Sequence, residues 1–242
     1  FLAQRISSIN SISALCEKTG AKINQVSKSI GLDKRVGSKF LKTGPAFGGS
    51  CFQKDILSLV YLCKYYGLND VAEYWESVVS INNWQRNRIS NLIVETLFNT
   101  VTSKKIALLG FSYKANTNDT RESASIFIAK DLLKNGAILS IHDPQVNSTQ
   151  IKNELGVDEN INFNENSEAC WSYSQDVYKA VKNADAMIIL TEWEDYKNLD
   201  WKHIYTQMRK PAWIFDTRSI ISSQDVIKAG LKLWQLGEGY LN

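Results

Sequence analysis

Cys51 is the residue in this sequence with the clearest means of doing chemistry. It sits in Phe47-Gly48-Gly49-Ser50-Cys51-Phe52-Gln53-Lys54-Asp55, between a glycine pair and the start of an amphipathic segment. Glycines at that point permit close approach of a ligand to the backbone and dihedral angles closed to other residues. A thiol at a helix N-terminus, with a lysine nearby, has its thiolate favoured, which makes a nucleophile. Asp55, one turn on along the same helix face, could orient a water or a partner lysine. The competing reading is a buried structural cysteine, the ordinary state of an unpaired Cys. That reading suits Cys16, Cys63 and Cys170. Arg35, Lys39, Lys42, Lys114 and Arg121 stand in loops or at element ends, where cations can pair with phosphates. Each taken singly is more simply a solvated surface charge.

These residues need elements to hold them. Residues 1–99 read as helical, and 100–242 as an α/β alternation. In the first part Leu2, Ile6, Ile9, Ile12 and Cys16 keep a helical period that Gly20 ends. Residues 21–30 repeat the pattern up to Gly31, and a polar loop runs from Asp33 to Ser50. Helix resumes near Phe52 with Gly67 as its stop, and Asp70 reads as the cap of a long helix through Ile93. With no strand to cover them, these apolar stripes must pack on one another or on a partner. In the second part Lys105–Phe111, Ala137–Ile141, Ala186–Leu190, Trp213–Phe215 and Leu231–Leu236 read as strands. Ser123–Leu133, Val177–Ala184 and Ser223–Ala229 read as helices between them. That order belongs to an open parallel sheet, with ligands beyond the carboxyl ends of its strands. The first strand-to-helix turn, Gly110-Phe111-Ser112-Tyr113-Lys114, lacks the G-x-G-x-x-G spacing of a dinucleotide cradle. Asp143 after the second strand therefore reads as a loop acid rather than a ribose ligand.

Composition removes whole classes of function. The 242 residues are 44% hydrophobic and 22% charged, which excludes disorder. A net charge of +3, from 28 basic and 25 acidic residues, argues against nucleic acid or an anionic membrane as partner. No apolar run has the length of a membrane span. The four cysteines and two histidines show no disulfide framework or metal-ligand spacing. The reading is a reduced, cytoplasmic protein without a metal. Phe1 opens the chain without Met, without a signal pattern and without a helix cap, so the expectation is a piece of a longer protein that begins inside a helix.

Phe47–Asp55 closely resembles the catalytic cysteine segment of the UDP-glucose 6-dehydrogenase family. Phe1–Asn10 is similar to that family's long central helix, and Asn118-Asp119-Thr120-Arg121-Glu122-Ser123 and Thr191-Glu192-Trp193 also match. The likeness weakens over Glu154–Tyr173. It implies a helical dimerisation domain over 1–99 and a Rossmann-like UDP-sugar-binding domain over 100–242. The family's NAD-binding domain, its catalytic lysine and an assisting asparagine would precede Phe1. The implied reaction oxidises C6 of UDP-glucose twice with NAD to give UDP-glucuronate, through a thiohemiacetal and a thioester on Cys51. Asp55 is then the acid that assists through water. Phe40, Lys42 and the loop to Gly48 match the substrate loop, while Tyr113, Lys114 and Arg218 match sugar-nucleotide contacts. Lys54 and Arg121 match positions that touch NAD, and Arg35 an arginine offered across a homodimer interface. Two departures stand out: Thr43-Gly44-Pro45-Ala46 before Phe47, and Thr217 where the family usually has glycine before the arginine. Two alternatives accompany this reading. One is a binding and dimerisation module without turnover; the other is a sibling dehydrogenase of the GDP-mannose type, against which Phe52-Gln53-Lys54 argues.

Overall fold

The structure, a computed structural model, describes residues 1–160 and 169–241. Four helices come first: α1 (Leu2–Thr19), α2 (Ile23–Leu32), α3 (Phe52–Tyr65) and α4 (Asn69–Thr96). Gly20 ends α1 in the left-handed conformation, as its lack of a Cβ allows. Two expected punctuation marks fall differently. Gly31 lies inside the last turn of α2, where a Cβ would meet the Ser38 backbone at 3.0 Å. Its smallness serves close packing of the following loop, and the helix runs on to Leu32. Asp70 sits in the first turn of α4 rather than at its cap, a position that still favours a carboxylate beside the helix N-terminus.

The chain then alternates: β1 (Lys105–Leu109), α5 (Ala124–Lys134), β2 (Ile138–His142), α6 (Ser148–Leu155), β3 (Cys170–Tyr173), α7 (Val177–Val181), β4 (Ala186–Ile189), α8 (Trp201–Gln207), β5 (Trp213–Asp216), α9 (Ser223–Lys228), β6 (Lys232–Gln235) and β7 (Gly239–Leu241). The sheet order is β3-β2-β1-β4-β5-β6-β7, with β1 to β6 parallel and β7 antiparallel on the edge. This is a doubly wound, Rossmann-like sheet. Its central strands are buried along their whole length, which explains their continuous apolar runs. Of the stretch Glu154–Tyr173, where the family likeness weakens, the ends form α6 and β3, and residues 161–168 lie outside the described residues.

The helical layer and the sheet share a core. Ile89, Ile93 and Leu97 at the end of α4 pack with Ile106, Leu108 and Ile128 under one face of the sheet. Towards its start α4 packs instead against α3 and α1, through Val78 and Val79 with Ile56, Val60 and Ala3. One long helix thus fixes the orientation of both layers.

Asp143 is far more than a loop acid. It is 1% exposed, and its Oδ2 accepts from the backbone N–H of Phe111 at 2.7 Å, of Ser112 at 3.1 Å, and from Trp193 Nε1 at 3.2 Å. Its Oδ1 accepts from the N–H groups of Gln145 and Val146. One carboxylate therefore ties the loops after β1, β2 and β4 together. Asp143→Ala should cost more than about 3 kcal/mol, since several buried donors lose their acceptor at once. Urea denaturation measures this, and a loss below about 1 kcal/mol would show that the loops stand without it.

Candidate functional site

The sheet order reverses between β1 and β4, and ligands of such sheets lie just beyond the strand ends at that point. A cavity of about 260 Å³ lies here, walled by the loops after β1, β4 and β5 on one side and by the helical layer on the other. Phe40, Lys42, Gly48, Tyr113, Lys114 and Arg218 all line it. Arg35 does not: its guanidinium is exposed and forks onto Asp33 at 2.6 Å.

Arg218 is the most constrained of these cations. Its backbone N–H donates to Asp216 Oδ1 at 3.0 Å, its Nε to the Leu190 carbonyl at 2.7 Å, and one terminal nitrogen to the Tyr113 carbonyl at 3.2 Å. The other terminal nitrogen pairs with Glu192 at 3.0 Å. Burial pulls this guanidinium below its ordinary pKa, and Glu192 and Asp216 oppose that pull. Burial likewise raises the Asp216 carboxyl, against hydrogen bonds from Gln235 and the backbone of Ile221, Arg218 and Ile220. Thr217 is buried and donates through Oγ1 to the Ile189 carbonyl at 2.7 Å. Threonine in place of glycine thus anchors the turn and leaves Arg218 in the cavity wall. Lys42, Lys114 and Arg218 against Glu192 leave the cavity cationic, and Phe40, Phe47, Phe52 and Tyr113 add aromatic faces. Such a site suits an anionic group beside a ring system.

Cys51 forms the N-cap of α3, and its side chain makes no capping hydrogen bond. It is exposed and lies 3.5 Å from Ser50 Oγ, with the Arg121 guanidinium in its neighbourhood. Arg121 is held chiefly by Asp119, which raises its pKa and is itself lowered by the pairing. Asp55 is exposed one turn later, its N–H donating to the Cys51 carbonyl at 2.9 Å. Lys54 lies apart from the cationic cavity, in a neighbouring open groove of about 700 Å³ with Ser50, Gln53, Tyr61 and Glu122.

A dinucleotide does not fit the β1 turn. The N–H groups of Phe111 and Ser112, which would face a pyrophosphate, are already taken by Asp143, and a Cβ on Gly110 would overlap Thr191. Among the described residues no cluster of His, Cys, Asp or Glu could hold a metal ion, and no helix is long and apolar enough to cross a membrane.

Comparison with known proteins accounts for this arrangement. The central-domain model of the UDP-glucose/GDP-mannose dehydrogenase family matches residues 1–84, and its UDP-binding-domain model matches residues 107–223. The chain belongs to the UDP-glucose/GDP-mannose dehydrogenase family. It is 47% identical over 240 residues to a UDP-glucose 6-dehydrogenase of Drosophila melanogaster, covering 99% of this chain and 50% of that one. A UDP-glucose 6-dehydrogenase of Gallus gallus is 53% identical over 224 residues, 91% of this chain and 44% of its own. A solved UDP-glucose dehydrogenase from Pyrobaculum islandicum superposes with a TM-score of 0.79 at 26% identity, over 100% of this chain and 49% of that one. The chain spans about half the length of the curated relatives it matches.

Beyond the family motifs, three amide side chains hold the loop before Cys51 and escaped the sequence reading. Asn82 brackets Phe47, accepting from its N–H at 2.8 Å and donating to its carbonyl at 3.1 Å. Asn10 accepts from the Gly44 N–H, and Gln85 donates to the Gly44 carbonyl, each at 3.0 Å. All three look like ordinary helix residues; only their position on the buried faces of α1 and α4, opposite a loop with unpaired backbone groups, marks them.

Cys51 should be the first thiol alkylated by a limiting pulse of iodoacetamide followed by mass spectrometry. Cys16, Cys63 and Cys170 are only 3, 8 and 7% exposed. Faster labelling of any of these in the folded protein would remove the case for Cys51 as the accessible nucleophile.

Proposed function

We propose that this chain carries the sugar-nucleotide and thiol half of an NAD-dependent UDP-glucose 6-dehydrogenase, which oxidises UDP-glucose to UDP-glucuronate. The observation that carries the reading is the meeting of Lys114 and Arg218, from the loops after β1 and β5, with Lys42, whose own loop leads through Gly48 to an exposed Cys51. The three cations hold the diphosphate, and Phe40, Gly48 and Tyr113 shape the rest of the sugar-nucleotide pocket. NAD, when bound, supplies the acceptor for both hydrides. Cys51 adds its sulfur to the C6 aldehyde left by the first oxidation, giving a thiohemiacetal. The second oxidation leaves a thioester on the same sulfur. Water then attacks the thioester carbon, the carbon–sulfur bond breaks, and the sulfur recovers its proton. Asp55, exposed one turn along α3, acts through water on this sequence. Lys54, which lines the neighbouring groove, and Arg121, paired with Asp119, are assigned to the edge of the cofactor. Phe52-Gln53-Lys54 favours this branch over the GDP-mannose sibling.

The chain by itself is assigned binding without turnover. Its sheet offers no cradle for a pyrophosphate, because Asp143 occupies the N–H groups after β1, so hydride acceptance needs a cofactor site that the described residues do not supply. Calorimetry should show UDP-glucose bound in preference to GDP-mannose, with no NADH formed when NAD is added. Lys42→Ala, at an exposed side chain, should weaken UDP-glucose binding about tenfold through the loss of one charge-assisted contact. Equal binding of both sugar nucleotides, or NADH production by this chain alone, would contradict the assignment.

Residues 1–99 are further assigned to homodimerisation. Tyr65, Leu68, Val71 and Tyr74 are 44–71% exposed at the end of α3 and the start of α4, and exposed apolar surface of that kind marks an interface. Sedimentation should find a dimer at about ten micromolar, a usual range for standard interfaces; Tyr65→Glu should shift it towards monomer. A monomer in the parent protein would remove this assignment. The free state of all four cysteines supports a reducing compartment, the cytoplasm.

A further inference from the structure

From the loop before Cys51 one partly buried thread of hydrogen bonds runs away from the cavity. The carbonyl of Gly44 accepts from Gln85 Nε2 at 3.0 Å, and Gln85 Oε1 in turn accepts from Arg88 Nε at 3.2 Å and from a terminal nitrogen of Arg88 at 3.1 Å. Arg88 pairs with Glu17 at 2.7 Å. Glu17 Oε1 also accepts from the N–H of Gly237, at the turn between β6 and β7, at 2.9 Å. Gln85 is 0% exposed, and the side chains of Arg88 and Glu17 are 17% and 9% exposed. The near end of the thread matters most. Gly44 lines the cavity, and a Cβ there would sit 3.1 Å from a terminal nitrogen of Arg218. Gly44 is therefore a part of the cavity wall that faces Arg218 with no room to spare for a side chain.

We propose that Arg88 is a positioning residue for the pocket: anchored by Glu17 to the turn at Gly237, it fixes the Gln85 side chain so that Gln85 holds Gly44 against Arg218. The chemistry requires this direction of control. A glutamine amide free to rotate offers either its oxygen or its nitrogen to Gly44. Arg88, which is purely a donor, claims the oxygen and leaves only the nitrogen for the carbonyl. Glu17, purely an acceptor, fixes Arg88 in turn. Asn10, which accepts from the Gly44 N–H, completes the clamp from the other side. The charged members are partly buried and stay paired and hydrogen-bonded to one another. No residue of the thread between Gln85 and Gly237 lines the cavity. The inference rests on the cavity being the sugar-nucleotide site, and its test separates the two.

Two variants of the chain test it. Gln85→Glu keeps an oxygen for Arg88 but, at neutral pH, has no donor for Gly44. Arg88→Lys keeps the charge facing Glu17 and loses the fork onto Gln85. Amide hydrogen exchange should quicken about tenfold over residues 41–48 in both, matching the loss of one buried hydrogen bond, and stay unchanged in β1. UDP-glucose affinity should fall by a similar factor, and in Gln85→Glu the loss should diminish as acid restores a donor. Unchanged exchange over residues 41–48 in either folded variant overturns the proposal. So does faster exchange with UDP-glucose affinity intact, because Gly44 would then not shape the site. A parent chain that fails to bind UDP-glucose overturns the assignment of the cavity, and the exchange measurement still decides whether the thread holds the loop. If one variant fails to fold, the other carries the same readouts.

Discussion

The contact between Gly48-Gly49 and the backbone of Arg121 and Glu122 is the constraint on which the site depends. A Cβ on Gly48 would lie 2.5 Å from the Glu122 carbonyl oxygen, and the Gly49 N–H donates to the Arg121 carbonyl at 2.8 Å with Gly49 at φ +86°. Backbone meets backbone here, between the helical layer and the loop after β1. No side chain larger than hydrogen fits the first position, and the second needs a conformation that glycine adopts without strain. Cys51 follows two residues later at the N-cap of α3, so this approach fixes where the segment that carries the thiol begins. The loop before it has no freedom to drift either, since Asn10, Asn82 and Gln85 occupy its backbone groups.

Two buried carboxylates do on the sheet side what the amides do on the helical side. Asp143 gathers the loops after β1, β2 and β4, and Asp216 gathers the loop after β5 through Arg218, Ile220 and Ile221. In a dinucleotide-binding sheet a ligand pyrophosphate meets the N–H groups after the first strand. Here a protein carboxylate meets them, and the same architecture is left with a cationic cavity one layer further out. That shift leaves the Rossmann-like sheet with a cavity lined by side chains from both layers, in place of a cradle of backbone N–H groups.

Much of this was legible in the residues. The period of Leu2 to Cys16, the apolar runs Lys105–Phe111, Ala137–Ile141 and Ala186–Leu190, and the amphipathic Ser123–Leu133 follow from local rules. The glycine pair before Cys51 reads as room for a ligand, but what approaches it is the protein's own backbone at Arg121 and Glu122. What escaped was non-local. Asp143 looks like any acid in a turn until three loops converge on it. Asn10, Asn82 and Gln85 carry no local signal at all, since their partners lie 34, 35 and 41 residues away. The α8 helix and the β7 strand are short and gain their stability from the sheet they pack on, so neither shows a strong period of its own. Arg35 matched a family position, yet nothing local places it anywhere but on Asp33; its proposed role needs a second chain.

The central claim is that the cationic cavity and the Cys51 thiol form one site. The most direct measurement is the rate of Cys51 alkylation with and without saturating UDP-glucose, read by mass spectrometry on the intact chain. A sugar nucleotide seated on Lys42, Lys114 and Arg218 should place its C6 end over the thiol and slow alkylation severalfold, while GDP-mannose at the same concentration should protect less. An alkylation rate that UDP-glucose leaves unchanged, under conditions where calorimetry shows it bound, would mean that cavity and thiol are separate and would contradict the account.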